Sequence, residues 1–282
     1  MTTIRPAELV RRAVPTTEGA GVNLVRAFGF SEASRLDPFL MLDDFHSEAP
    51  ADYSAGFPSH PHRGMETVTY MISGSSEHAD NMGHRGRIGP GEVQWMTAGS
   101  GIIHEEMPQP TQGRLQGFQL WVNLPAAHKM MRPRYQDIRK EAIPSVKLEG
   151  GTEVRVIAGR FGEAEGPVRE LVVPIELLDV AMPPEGQVEI PVPKGWSAFA
   201  YVFEGEALFG REKWRTGEEH LVIFGEGDGI QVRTEDDGAR FLLAAGRPIR
   251  ENIAWRGPVV MNTEDQLREA FREIREGNFV RH

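Results

Sequence analysis

Cysteine is absent from this 282-residue chain. That excludes disulfides, zinc ribbons, iron–sulfur clusters and thiol nucleophiles, so any metal site must be built from His nitrogen and carboxylate oxygen. Positive charge is in short supply as well, with 31 Lys and Arg against 41 Asp and Glu. Direct nucleic-acid binding is not expected, because it needs a concentrated basic face. No uninterrupted apolar run approaches the roughly 20 residues of a membrane span. The opening Met1-Thr2-Thr3-Ile4-Arg5-Pro6 carries no apolar signal core. A cytoplasmic protein without membrane contact is the expectation. Long helical periods are scarce too, and their scarcity points away from helical bundles.

What the chain does have is punctuation. Its 31 glycines and 20 prolines bound short apolar stretches such as Thr67–Ile72, Phe118–Val122 and Ala198–Phe203, a pattern typical of many-stranded antiparallel sheets. An internal repeat is visible. His60-Pro61-His62-Arg63-Gly64, Tyr70–Gly74 and Pro90-Gly91-Glu92 are echoed by Pro191–Gly195, Tyr201–Gly205 and Glu226-Gly227-Asp228, at offsets of 131, 131 and 136 residues. Duplication predicts an all-β protein of two stacked jelly-roll β-sandwich domains. The N-terminal domain is placed at residues 1–140 and the C-terminal one at 141–282. Because the two halves can bury their faces against each other, a monomer is expected. Thr263-Glu264-Asp265-Gln266 has the capping-box pattern. Leu267, Ala270, Phe271 and Ile274 follow at helical spacing, so a C-terminal amphipathic helix covering a sheet face or edge is predicted. A weaker helical period falls around Arg132–Glu141.

Histidines carry the chemistry. One residue separates His60 from His62, so on a strand both leave the same face and can share one ion. Pro61 between them suits a strand start or edge. Glu66 lies four residues beyond His62, on that face if the strand is regular. After Gly99-Ser100-Gly101, His104 and Glu106 share a face by the same rule. Two same-face pairs facing each other across a small barrel would make a three-His, one-carboxylate site with open positions. At this level Glu66 and Glu106 compete for the carboxylate place. His46, His78 and His84 are expected at the surface or behind the ligands, and His128 and His220 in solvent. At the repeat offsets, His60 and His62 map to Pro191 and Pro193, and His104 and Glu106 to Arg240 and Leu242. The second half therefore lacks ligands, and one metal per chain is predicted.

His60–Thr67, Pro90–His104, Leu36–Phe45 and Gly257–Thr263 together resemble the pirin family of the cupin superfamily over nearly the whole chain. Pirins are bicupins. The resemblance implies a metal site in the first cupin, most commonly iron(II), held by His60, His62, His104 and Glu106, with Glu66 in a supporting place. Met65 departs from the aromatic residue common there. It further implies a quercetin 2,3-dioxygenase activity that opens a flavonol with molecular oxygen and releases carbon monoxide, Glu106 acting also as general base. The alternative it implies is an iron-binding, redox-sensitive transcriptional co-regulator or other protein-interaction protein, whose partner would be a protein. A metal-free structural role is third. Three His and one Glu do not select among iron, nickel, cobalt, copper and zinc.

Overall fold

The computed structural model describes residues 2–211 and 214–281. Chain order gives β1 (Ala7–Arg12), β2 (Val14–Glu18), β3 (Val22–Phe28), β4 (Phe39–Ser47), β5 (Phe57–His62), β6 (Met65–Ser73), β7 (Ser75–Asp80) and β8 (Arg85–Ile88). Then come β9 (Val93–Thr97), β10 (Ile102–Gln109), β11 (Leu115–Asn123), β12 (Arg134–Ile138), β13 (Ser145–Lys147), β14 (Glu153–Ala158), β15 (Arg160–Phe161) and β16 (Ala164–Glu165). The remainder is β17 (Ile175–Met182), β18 (Gln187–Pro191), β19 (Ser197–Phe209), β20 (Trp214–Gly217), β21 (His220–Phe224), β22 (Gly229–Arg233), β23 (Ala239–Gly246), β24 (Ala254–Arg256), β25 (Val259–Met261) and α1 (Glu264–Glu276). The all-β reading with one C-terminal helix holds.

Two compact units form. One comprises the chain through Val14, Arg35–Pro38 and Glu141–Pro248; the other comprises Pro15–Ser34, Phe39–Lys140 and the chain from Ile249 onward. The change of unit between Lys140 and Glu141 is accompanied by segments from both chain ends that fall in the other unit from their neighbours in sequence. Strand β1 pairs with β21, Val10 opposite Val222. Arg5, 1% exposed, donates to the carbonyls of Trp196, Pro193 and Gly225. At the other end, α1 packs Leu267 and Ala270 with Ala254, Val259 and Met261, in a cluster that Ile103 of β10 joins. Local sequence marks an end segment as strand or helix but not which sheet completes it.

In the unit that holds His60, His62 and His104 a seven-stranded sheet runs β12-β9-β6-β11-β4-β3-β2 and a four-stranded sheet β5-β10-β7-β8. Side chains of both sheets line one cavity between them. In the other unit the path β1-β21-β19-β23-β17-β14-β13 is extended by β20 and by β22 with β18, all reached through the long β19. Its interior is aliphatic and aromatic, including Val188, Ile190, Phe209, Ile230, Val232 and Phe241. Each such side chain contributes about 1.5–3 kcal/mol when fully buried.

Ladder register corrects the repeat. Pro90-Gly91 leads into β9, which pairs with β6; the matching partner of β19 is β21, preceded by Thr216-Gly217. Glu226-Gly227 instead matches Ser100-Gly101, and Gly99 to Gly225 spans 126 residues, so the offset falls rather than grows. In the first unit His104 pairs with His60, and in the second Ile230 pairs with Ile190. His60, His62, His104 and Glu106 therefore correspond to Ile190, Val192, Ile230 and Val232, all at most 2% exposed. The second unit fills with hydrocarbon the places where the first carries imidazole and carboxylate. The helical period near Arg132 is corrected too: Arg134–Ile138 forms β12 against β9, with Tyr135 packed beside Met96, Ala98 and Ile102.

Candidate metal centre

Strand β10 alternates strictly, with Ile102, His104, Glu106 and Pro108 buried and the residues between them half-exposed. Edge strand β5 lies antiparallel to it, placing His60 opposite His104 and His62 opposite Ile102. The two histidine-bearing strands are thus direct neighbours rather than opposite walls of a barrel. Proline at 61 is tolerated because β5 is the sheet edge.

The ligand atoms of His60, His62 and His104 lie within 4.8 Å of one another. His60 Nε2 is 3.0 Å from His62 Nε2. His60 Nδ1 lies 2.9 Å from the Pro58 carbonyl, an acceptor that places a proton on Nδ1 and turns Nε2 toward the cluster. His104 is 2% exposed, and neither of its ring nitrogens has a hydrogen-bond partner among the described residues. An orphaned buried polar group costs about 1–3 kcal/mol, and a metal ion bound at one His104 nitrogen would offset that cost for that atom. Burial pushes His62 well below its usual range, with His104 and His60 adding repulsion. Burial does the same to His104, followed by repulsion from His60. Neutral imidazoles with converging lone pairs are the form a divalent metal binds, so the residues fit such an ion.

Glu106 stands two residues on from His104 and outside the three-His group. The Nε2 of Gln119 donates to its Oε2 at 3.1 Å. The Thr69 hydroxyl lies 3.0 Å from its Oε1 and 2.7 Å from Gln119 Oε1. Glu66 goes elsewhere. Gly64, at φ 78°, turns the chain between β5 and β6, so the spacing of four does not run along one strand. Thr97 donates to the Glu66 carboxyl at 2.7 Å, and burial pushes that carboxyl up. His78 sits opposite Glu106 on β7, 2.7 Å from the Gln94 amide and stacked on Tyr135. His84 pairs with Asp80 and His46 with Asp44. His128 is exposed and His220 half-buried.

A cavity of about 610 Å³ opens over the cluster, within the range of small-molecule sites. Met41, Phe45, Phe57, Trp121 and Trp255 give it apolar walls, and His60, His62, Glu106 and Gln119 are among its polar lining. Trp121 meets the edge of His62 at 5.2 Å between centroids and Trp255 at 5.9 Å. Arg26 is clamped by Asp43 at 2.7 and 2.8 Å and by Glu18 at 2.9 Å. Sequence reasoning missed Thr69, Gln119, Trp121 and Trp255. Period-2 alternation along β11, which sets Gln119 and Trp121 on one face, was the available signal.

Two family models match the chain: pirin over residues 21–122 and the pirin C-terminal cupin domain over residues 177–280. It is 46% identical over 278 residues to a pirin-like protein of Caulobacter vibrioides, covering 98% of this chain and 99% of that protein. Identity to pirin of Homo sapiens is 40% over 265 residues, covering 92% and 88%. Among solved structures, quercetin 2,3-dioxygenase from Acinetobacter baumannii is similar, with a TM-score of 0.91 and 32% identity over 98% of this chain and 99% of that one.

Proposed function

The chain belongs to the pirin family, and we propose that it is an iron(II)-dependent dioxygenase that opens the ring of a flavonol with molecular oxygen. One observation carries the reading: His60 and His62 of a three-imidazole cluster and the Glu106 carboxylate line an aromatic-walled cavity. The similarity to a quercetin 2,3-dioxygenase supports it.

His60, His62 and His104 hold the metal, with Glu106 as the carboxylate of the set. Ferrous iron bound there would supply Lewis acidity toward the flavonol 3-oxygen and a redox partner for oxygen. The chain's own residues do the rest. Glu106 accepts the 3-hydroxyl proton, held for the task by the Gln119 amide and the Thr69 hydroxyl. Trp121, Phe45 and Met41 offer apolar surface to the flat ring system and keep water from the reacting atoms. Arg26, whose charge is already met by Asp43 and Glu18, has little left to give a carboxylate substrate, which suits a neutral polyphenol.

Oxygen uptake by anaerobically Fe(II)-loaded protein given quercetin tests the reading, with His62→Ala prepared identically. Uptake with carbon monoxide release, falling at least 100-fold in the variant, is expected. Protein that binds iron yet consumes no more oxygen than His62→Ala would overturn it.

A further inference from the structure

Arg63 follows directly on His62, and a guanidinium 2% exposed next to a candidate ligand calls for an account. Its Nε donates to the Ser100 carbonyl at 2.7 Å and its Nη2 to the Phe279 carbonyl at 2.7 Å. Its Nη1 is 2.6 Å from Glu273 Oε2, and the group lies 4.1 Å over the Phe279 ring. The backbone is fixed as well: Arg63 N–H donates to the Pro258 carbonyl, and Val260 N–H donates to the Arg63 carbonyl. Ser100 sits in the turn that launches β10 toward His104. One side chain therefore ties the end of β5, the start of β10 and a segment 216 residues further along the chain.

The fit is close on every side. A Cβ at Gly64 would meet the Val260 carbonyl oxygen at 1.9 Å, and one at Gly101 would meet the Phe279 carbonyl oxygen at 2.9 Å. Glu273 is itself 5% exposed, and Arg281 takes its other oxygen. A planar fork holds its acceptors in fixed directions, whereas an ammonium is a point charge on a flexible stem with rotatable donors.

We infer that Arg63 is a positioning residue of the metal centre, setting the spacing of the His60–His62 and His104 strands by anchoring both to the C-terminal helix and tail through Glu273 and Phe279. The inference rests on the metal-centre reading above and adds to it a control point far in sequence from the ligands. Residues that support ligands in this way change metal affinity by about 10–100-fold when altered.

Titration of the apo protein with Co(II), followed by the d–d absorption, tests it alongside urea unfolding of each apo form. Arg63→Lys and Glu273→Gln are each expected to weaken Co(II) binding by about 10–100-fold and to shift the d–d bands of the saturated protein. Arg63→Met should fall further than Arg63→Lys. Glu276→Gln, on the same helix but paired with Arg272, should match the native chain. Native affinity and an unchanged spectrum in both Arg63→Lys and Glu273→Gln would overturn the inference. So would weaker binding with a native spectrum at saturation, which would assign Arg63 to the fold alone. Should Arg63→Lys fail to fold, the spectrum of Glu273→Gln decides. A native chain that binds no Co(II) defeats the metal centre itself, whereas one that binds metal but does not turn over quercetin defeats only the flavonol reading.

Discussion

A buried ammonium is held at Lys129 by three oxygens, those of the Gly64 carbonyl, the Asn123 side chain and the Val260 carbonyl, at 2.8, 2.6 and 3.0 Å. Replacement by Met orphans all three acceptors, and a loss of about 2–4 kcal/mol in urea unfolding at pH 6 is expected. Burial pulls the Lys129 ammonium down to about 7. The unfolded chain then keeps a proton that the folded chain releases, so Lys129 makes stability rise with pH from about 7 to about 10. Lys129→Met should flatten that rise, and unfolding curves between pH 6.5 and 9.5 will show it. At the site, Gln119→Leu removes the amide that orients Glu106; turnover is expected to fall by about 10–100-fold with metal content unchanged, measured by oxygen uptake and metal analysis together. That His60, His62 and His104 come together was legible because alternation along a strand is local. Arg63, Lys129 and Gln119 were not, since each is defined by partners that only the fold brings near. Glu106 was separable from Glu66 only through family resemblance, because nothing in the spacing says that Gly64 ends the strand.

Strands and turns were the most readable elements, and the errors fell where one turn looks like another. Pro90-Gly91-Glu92 and Glu226-Gly227-Asp228 share a pattern that any glycine turn satisfies, whereas the pairing of β9 with β6 and β21 with β19 identifies the true match. Around Arg132 the apolar spacing fits a helix weakly, but Arg134–Ile138 gains a full ladder against β9, and tertiary pairing outweighs local propensity. The C-terminal helix succeeded because its signal is both local and reciprocal. Gln266 N–H donates to the Thr263 hydroxyl at 3.2 Å, and Thr263 N–H donates to Gln266 Oε1 at 3.1 Å. Thr263→Ala should cost about 1 kcal/mol. Since Leu267 and Ala270 remain packed, thermal denaturation should show a shift of the native transition rather than loss of the helix.

At the scale of the whole molecule, the candidate ligands and the residues that pack around them come from distant parts of the chain. His60, His62, His104 and Glu106 all precede Lys140, yet β24, β25 and α1, from beyond Pro248, belong to the same compact unit. That segment supplies Pro258 and Val260 to the Arg63 backbone, Val260 to Lys129, and Phe279 and Glu273 to the Arg63 side chain. It also covers Met65, Ala33 and Leu40, which pack with Val260. A chain ending at Pro248 keeps every candidate ligand and every strand of the two large sheets, but it leaves a buried guanidinium and a buried ammonium without several acceptors and exposes a continuous apolar face. Unpaired buried charge is costly, and large exposed apolar patches bind hydrophobic dyes and promote association. The expected outcome is a chain with strand content by circular dichroism close to native, raised dye fluorescence, and Co(II) affinity at least 100-fold below native. Native Co(II) affinity in that truncated chain would mean that the strands of the site hold their own spacing, and that the exchange of chain ends serves the fold without serving the metal.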